Sequence, residues 1–274
     1  MTDLYCVVGH PIGHSQSPQI HAAFATQTQQ DIDYQAIEAP LEGFVTTIQR
    51  FFAEGGRGAN VTVPFKQQAY DWADTLTERA RRAGAVNTLV KQSDGSVLGD
   101  NTDGAGLVTD LLHHHVALCD QRIMVVGAGG AARGVLLPLL EQSPASLLIV
   151  NRTEQKAQQL AAAFGETGPI ASHAVDKPLA APVDVIINAT SASLHQSYPP
   201  IPHGAIGPHA TVYDMVYQAG CTTSNQWAQS QGAGRCLDGL GMLVEQAAES
   251  FAVWRGCRPQ TEQVREQLRE ALSE

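Results

Sequence analysis

The segment Arg122–Gly134 reads RIMVVGAGGAARG, and it constrains the fold more than any other stretch of the chain. An apolar, strand-forming run enters a glycine-rich turn and leaves it as an alanine-rich helical segment. Three further apolar strands follow in SLLIVNRT, DVIINATS and TVYDMVY, each running into a turn or a polar segment. That rhythm is a βαβ series, which calls for a largely parallel sheet covered by helices. The first hundred residues alternate in the same way, with strands expected near Leu4–Val8, Tyr34–Ala39, Gly58–Val63 and Asn87–Val90. A helix should open at Ser17-Pro18, where serine suits the N-cap and proline the first turn. Another begins within Thr75-Leu76-Thr77-Glu78 and ends near Gly84. Beyond Met242, Leu243, Ala247, Phe251 and Trp254 recur at helical spacing.

A chain of 274 residues can hold one large or two modest domains. Glycine and turn formers mark seams at Asn101–Gly104 and Gly239–Met242, dividing the chain into residues 1–102 with 243–274, and residues 103–242. A cleft between two such α/β domains is the natural place for a small-molecule ligand. The net charge of −10 argues against nucleic acid or an anionic membrane as partner. An anionic ligand therefore needs locally placed donors. No apolar run approaches the roughly eighteen residues of a membrane span, and the N-terminus enters a strand without the apolar core of a signal peptide. The five cysteines (Cys6, Cys119, Cys221, Cys236 and Cys257) form no CxxC pair, which suits a reducing cytoplasm rather than a disulfide framework or zinc site. His113-His114-His115 cannot share one helical face and read as surface residues rather than metal ligands. Monomer and homodimer both remain open.

Gly127, Gly129 and Ala132 fit the G-x-G-x-x-G/A spacing between a strand and a helix. A glycine triplet alone can be a tight turn and nothing more. Here the strand, the helix and a second strand are all in place, so a dinucleotide is expected. Through Gly127, Ala128, Gly129, Gly130 and Ala131 the backbone can approach a pyrophosphate at a helix N-terminus. The second strand then chooses the cofactor. NAD sites place a carboxylate there for the ribose 2′-hydroxyl; this chain has Asn151-Arg152-Thr153, with Lys156 one turn on. A guanidinium in place of a carboxylate suits a 2′-phosphate, so NADP is favoured.

The stretch Gly58–Lys66 reads GANVTVPFK. In a strand Val61 and Val63 share one face, Asn60 and Thr62 the other. Pro64 cannot donate to a ladder, so the strand should stop there and Lys66 should leave its end. Alone, such a lysine is either a solvated surface residue or a group facing a cleft.

The motifs GHPIGHSQSPQIH, GANVTVPFK, AGAVNTL, GDNTDG, GAGGAARG, NRT, YDMVYQ and DGLGMLVEQAA occur in this order, and together they resemble the shikimate dehydrogenase family over essentially the whole chain. The resemblance implies two α/β domains, an N-terminal substrate domain and a Rossmann-like NADP domain, with the C-terminal helices returning to the first. It implies reversible NADPH-dependent reduction of 3-dehydroshikimate to shikimate. Lys66 matches the family's catalytic lysine and Asp103 its partner carboxylate. Ser15, Ser17 and Tyr217 match residues that bind the substrate carboxylate; Thr62, Asn87, Asp103 and Gln246 match those at the ring hydroxyls. Met215 and Gly239 match positions beside the nicotinamide. Bland roles stand beside these: Asp103 and Ser17 as helix caps, Gln246 as a rim residue, Met215 as core and Gly239 as a turn. One departure is Ser193, where the family usually has glycine; if that position needs positive φ, serine is strained or the loop is rearranged.

Competing readings are a dual quinate/shikimate dehydrogenase, a methylene-tetrahydrofolate dehydrogenase, and a non-catalytic module sensing a cyclic acid or nucleotide. Paired serines in SQSP oppose the folate enzyme, Arg152 opposes an NAD-preferring quinate enzyme, and a sensor needs no proton relay.

Overall fold

A computed structural model describes residues 2–273. Packing divides the chain into two units, one of residues up to Gly106 with Val244–Glu266, the other of Leu107–Leu243 with the residues from Gln267 onward. The first seam thus falls after residue 106 rather than 102. Gly106 is the reason: a β-carbon on it would lie 2.7 Å from the Gln246 backbone nitrogen, so residues 103–106 pack within the first unit. Residues beyond 266 go with the second unit, where Arg269 pairs with Asp238 at 2.6 Å.

The first unit carries β1 (Asp3–Gly9), α1 (Ser17–Thr28), β2 (Ile32–Glu38), α2 (Phe44–Ala53) and β3 (Gly56–Val61). Then come α3 (Lys66–Trp72), β4 (Thr75–Leu76), α4 (Glu78–Ala83), β5 (Thr88–Lys91) and β6 (Val97–Asp100); α5 (Asp103–His113) starts in this unit, and its residues from Leu107 belong to the second. Its sheet runs β2-β1-β3-β5-β6-β4. The helical crossovers make β1 parallel to both β2 and β3. The edge strand β4 is parallel to β6, while β5 runs antiparallel to both β3 and β6, to the second of which a short turn joins it. There Gly95 takes φ +90 and the Asp94 carboxylate accepts from the Ser96 N–H at 2.9 Å. On α2, Phe44, Ile48, Phe51 and Phe52 form one apolar stripe, buried with Cys6, Val8 and Val61.

Local differences from the sequence reading have physical causes. β3 stops at Val61, and Val63, expected on its face, is 66% exposed. The Phe65 N–H donates to the Thr62 carbonyl at 3.0 Å, turning the chain out of the sheet. Lys66 is therefore the first residue of α3, not a loop residue past a strand. Ser17 also opens a helix rather than capping it. The Ser15 hydroxyl accepts the Ser17 N–H at 3.3 Å, within a turn closed by Ser15 N–H to the Ile12 carbonyl, so the two serines are not on an extended loop. Thr77 caps α4, its hydroxyl accepting from the Ala80 N–H, and Gly84 ends it at φ 61. Asn87 lies one residue before β5.

The second unit contains β7 (Arg122–Val126), α6 (Gly130–Leu140), β8 (Ser146–Val150), α7 (Glu154–Phe164), β9 (Ile170–His173), β10 (Val185–Asn188), β11 (Thr211–Asp214), α8 (Thr223–Ser230) and β12 (Arg235–Asp238). All neighbours are parallel, in the order β12-β11-β10-β7-β8-β9. This is the Rossmann order, reversing between β7 and β10, where ligands of open α/β sheets bind. Both faces are apolar: Ile123, Val125 and Ile187 point into one core, Met124, Val126 and Ile186 into the other. Two helices close the chain, α9 (Leu240–Arg255) and α10 (Glu262–Ser273). Ala247 and Phe251 of α9 are fully buried, as their spacing predicts. No helix among the described residues is long and apolar enough to cross a membrane.

Candidate active site

In the first unit, Lys66 Nζ donates to Asp103 Oδ2 at 2.6 Å. Asn87 Nδ2 donates to Asp103 Oδ1 at 2.8 Å and lies 3.2 Å from Gln246 Oε1. Four of the expected residues thus meet in one cluster, drawn from α3, the segment before β5, the first turn of α5, and α9. Their backbones are tied as well. The Val86 N–H donates to the Lys66 carbonyl at 2.9 Å, and Asn87 bridges Val61 and Asp100. Thr62 is fixed from below, since a β-carbon on Gly9 would lie 2.5 Å from its methyl group. Asp103 is the first residue of α5 rather than its cap, and both its oxygens are engaged by side chains.

The Asp100–Asp103 loop is held by charges that sequence reasoning missed. Asp100 is nearly buried and accepts from Arg79 Nε and Nη2 at 2.7 and 2.6 Å, from the Thr77 hydroxyl at 2.6 Å and from the Asn101 N–H at 2.7 Å. Burial by itself would raise the Asp100 carboxyl; Arg79 and the other donors outweigh it and hold the group below its ordinary range. Asn101 in turn donates to the Ala85 carbonyl and accepts from the Asp103 N–H at 3.1 Å, which sets the start of α5. The only sequence signal was a density of Asp, Asn and Thr in GDNTDG.

A second missed group surrounds His21. This side chain has no exposed surface, its ring nitrogens are unpartnered, and it stacks on Tyr34 at 4.1 Å. Burial pushes its pKa down to about 3, against a smaller opposing influence of Asn60. Burial likewise raises the Tyr34 phenol well above its ordinary range.

In the second unit, Gly127 takes φ +117 directly after β7, and a β-carbon there would press on Ala189 and Thr190 beyond β10. Gly129 and Gly130 are exposed and have open space where a side chain would stand. The α6 N–H groups begin at that point, with Ala128 and Ala131 on either side. Such a cradle, bare of side chains at a helix N-terminus, fits a pyrophosphate. After β8, Asn151 Nδ2 donates to the Thr153 carbonyl at 3.0 Å, and Arg152, Thr153 and Lys156 are exposed. That donor set fits a phosphate on the ribose. Met215 and Gly239 are brought together: a β-carbon on Gly239 would collide with the Met215 carbonyl. Tyr217 is half-buried, and burial raises its phenol.

Ser193 needs no positive φ and carries no strain; it opens a short 3-10 turn, Ser193–His195. Its buried hydroxyl donates to Asp214 Oδ2 at 2.5 Å and accepts from the Ser224 N–H at 3.1 Å. Asn188 Nδ2 reaches the other Asp214 oxygen at 3.0 Å. The loop after β10 is clipped to β11 by the very side chain that glycine would lack.

Three family models match. Residues 7–89 match the shikimate dehydrogenase substrate binding domain, 110–196 match shikimate / quinate 5-dehydrogenase, and 239–269 match the shikimate 5′-dehydrogenase C-terminal domain. A shikimate dehydrogenase (NADP(+)) of Vibrio campbellii is 55% identical over 270 residues, 98% of this chain and 97% of that protein. Among solved structures, the Ael1 enzyme of Pseudomonas putida superposes with a TM-score of 0.92 at 41% identity, covering 97% of this chain and 98% of its own. The shikimate 5-dehydrogenase of Thermus thermophilus, solved with NADP(H) and shikimate, gives 0.87 at 31% identity over 99% of this chain and 100% of that one.

Proposed function

The chain belongs to the shikimate dehydrogenase family, and on that premise we propose that Lys66 and Asp103 carry the proton step of its NADPH-dependent reduction of 3-dehydroshikimate to shikimate. Bound NADPH supplies the hydride that converts the ketone carbon to an alcohol carbon. The former carbonyl oxygen then needs a proton, and the Lys66 ammonium donates it. In the reverse direction the neutral amine takes the proton back. Asp103 orients Lys66 and balances its charge. The observation that carries this reading is the 2.6 Å Lys66–Asp103 pair, with the second Asp103 oxygen already committed to Asn87.

Ser15, Ser17 and Tyr217 are assigned to the substrate carboxylate, and Thr62, Asn87 and Gln246 to its ring hydroxyls. Gly127, Ala128, Gly129, Gly130 and Ala131 hold the pyrophosphate; Asn151, Arg152, Thr153 and Lys156 read the 2′-phosphate; Met215 and Gly239 border the nicotinamide. We read the protein as cytoplasmic, with no nucleic-acid or membrane partner.

The test is NADPH oxidation by dehydroshikimate. Lys66→Ala should lower kcat by about 10² to 10⁴, with a modest change in KM. A variant with near-wild-type kcat removes Lys66 from the mechanism. The match of residues 110–196 to shikimate / quinate 5-dehydrogenase supports a second reading, activity on quinate as well. Oxidation of quinate at a rate comparable to shikimate would establish it.

A further inference from the structure

Behind Asn87 lies a buried chain of side chains whose hydrogen bonds run in one direction. Two main-chain groups fix its sense. The Thr102 N–H can only donate, so the Asn87 atom 2.9 Å from it is Oδ1, and Nδ2 faces Asp103. The Asn87 carbonyl can only accept, so the Asn60 atom 3.2 Å from it is Nδ2, and Asn60 Oδ1 faces the Tyr34 hydroxyl. That hydroxyl, 2.7 Å from an oxygen without a proton, must donate. Thr88 stands between the two asparagines. Its hydroxyl accepts from Asn60 Nδ2 at 3.3 Å and donates to Asn87 Oδ1 at 2.9 Å. Ser250 closes the ring, accepting from Asn60 at 3.0 Å and donating to the Thr88 hydroxyl at 2.8 Å, since the Thr88 proton itself goes to Asn87; the Gln246 carbonyl, 3.0 Å away on the same helix, is its alternative acceptor. Thr88 and Ser250 have no exposed surface, so neither can touch a ligand.

We propose that Thr88, backed by Ser250, is a positioning residue for the reaction: its hydroxyl holds the Asn87 amide so that N–H, not C=O, faces Asp103. An asparagine amide turned by half a rotation occupies almost the same volume, so packing alone barely resists the flip. What resists it is the set of partners on the two amide atoms: Oδ1 accepts from the Thr102 N–H and the Thr88 hydroxyl, and Nδ2 donates to the Thr102 hydroxyl at 2.9 Å. With the Thr88 donor gone the Thr102 N–H alone holds Oδ1, the amide is less firmly oriented, and every molecule in which it turns sets a carbonyl oxygen against the Asp103 carboxylate. Asp103 then swings from that acceptor and loses its aim at Lys66. The inference rests on the Lys66–Asp103 reading of the proton step.

Thr88→Val keeps the volume and removes the hydroxyl. Its kcat should fall about tenfold, the worth of one hydrogen bond, with KM for NADPH unchanged. Thr88→Ser, which keeps the hydroxyl, should stay within about twofold of wild type. In an Asn87→Ala background Thr88→Val should have no further effect on kcat, because the amide it holds is absent. Should Thr88→Val not fold, Ser250→Ala is the second variant, with kcat lowered about threefold and the same silence in the Asn87→Ala background. Wild-type kcat in the folded variant, or losses that multiply in the Asn87→Ala background, overturn the inference. Collapse of activity in Lys66→Ala beside undiminished Thr88→Val sinks the inference alone. Undiminished Lys66→Ala sinks the proton-step reading, and this inference with it.

Discussion

The two units present their functional groups by opposite means. In the second unit the expected pyrophosphate site is made of main chain: a strand buried on both faces, a turn stripped of side chains, and the first N–H groups of α6. In the first unit the site is made of side chains resting on side chains, with Asn87, Asp103, Thr88 and Ser250 each fixed by another polar group. A main-chain site needs an apolar sheet and a few glycines. A side-chain site needs buried polar groups that are all satisfied, and each partner removed leaves another group exposed to a cost. The first unit should therefore be the more fragile of the two to single polar substitutions.

Arg79→Met is the most severe way to probe that contrast. It strips the guanidinium from Asp100, whose side chain is 3% exposed, and should cost about 3 kcal/mol in urea unfolding. Shikimate binding should weaken while NADP titration stays unchanged; an equal loss for NADP breaks the contrast. Acid comes next. The folded pKa of His21 is depressed to about 3, below its ordinary value near 6.5, so the unfolded chain takes up this proton first. Stability from this group is therefore intact above pH 6.5 and is lost as pH falls toward 3, by about 2 kcal/mol at pH 5. Urea midpoints at pH 7 and 5 measure it, and His21→Phe should flatten the difference.

In the second unit Arg152→Asp should reverse the charge read by the cofactor. Wild type should prefer NADP over NAD by at least about tenfold in kcat/KM, some 1.4 kcal/mol, and the variant should lose that preference. Added salt should narrow the wild-type gap, since Arg152 is exposed. An unchanged ratio moves the reading of the phosphate to Lys156 and Thr153. The smallest effect is expected from Ser193→Ala, which removes one hydroxyl from Asp214 and should cost about 1 kcal/mol. KM for NADPH should rise and that for shikimate should not; a rise in both would mean the clip serves more than its own loop.

The same contrast explains what could be read from sequence. RIMVVGAGGAARG encodes strand, turn and helix within thirteen neighbouring residues, so β7, the cradle and α6 are legible locally. Lys66, Asn87, Asp103 and Gln246 were legible only through their motifs; nothing in the pattern of GANVTVPFK foretold that the chain would turn at Thr62 and start a helix at Lys66. Asn60 and Thr88 are paired by the register of β3 with β5, and Ser250 reaches them from far along the chain. Such partnerships are products of strand register and helix docking. Lone threonines and serines in the sequence do not announce them. Ser193 stands out in the sequence as a departure, but the sign of its effect depends on Asp214 and Ser224, which come later in the chain.

One consequence of the polar chain behind Asp103 concerns where protons are drawn from. Every group on it from Tyr34 to Asn87 is a phenol, an amide or a hydroxyl, none of which ionises readily near neutral pH. That chain can aim a carboxylate but cannot refill a spent amine. Lys66 is the more open member of its pair, 29% exposed against 14% for Asp103. In the proposed proton step, water at the Lys66 amine is then the reservoir within reach between one cycle and the next, and the interior of the unit serves as an insulator rather than a wire.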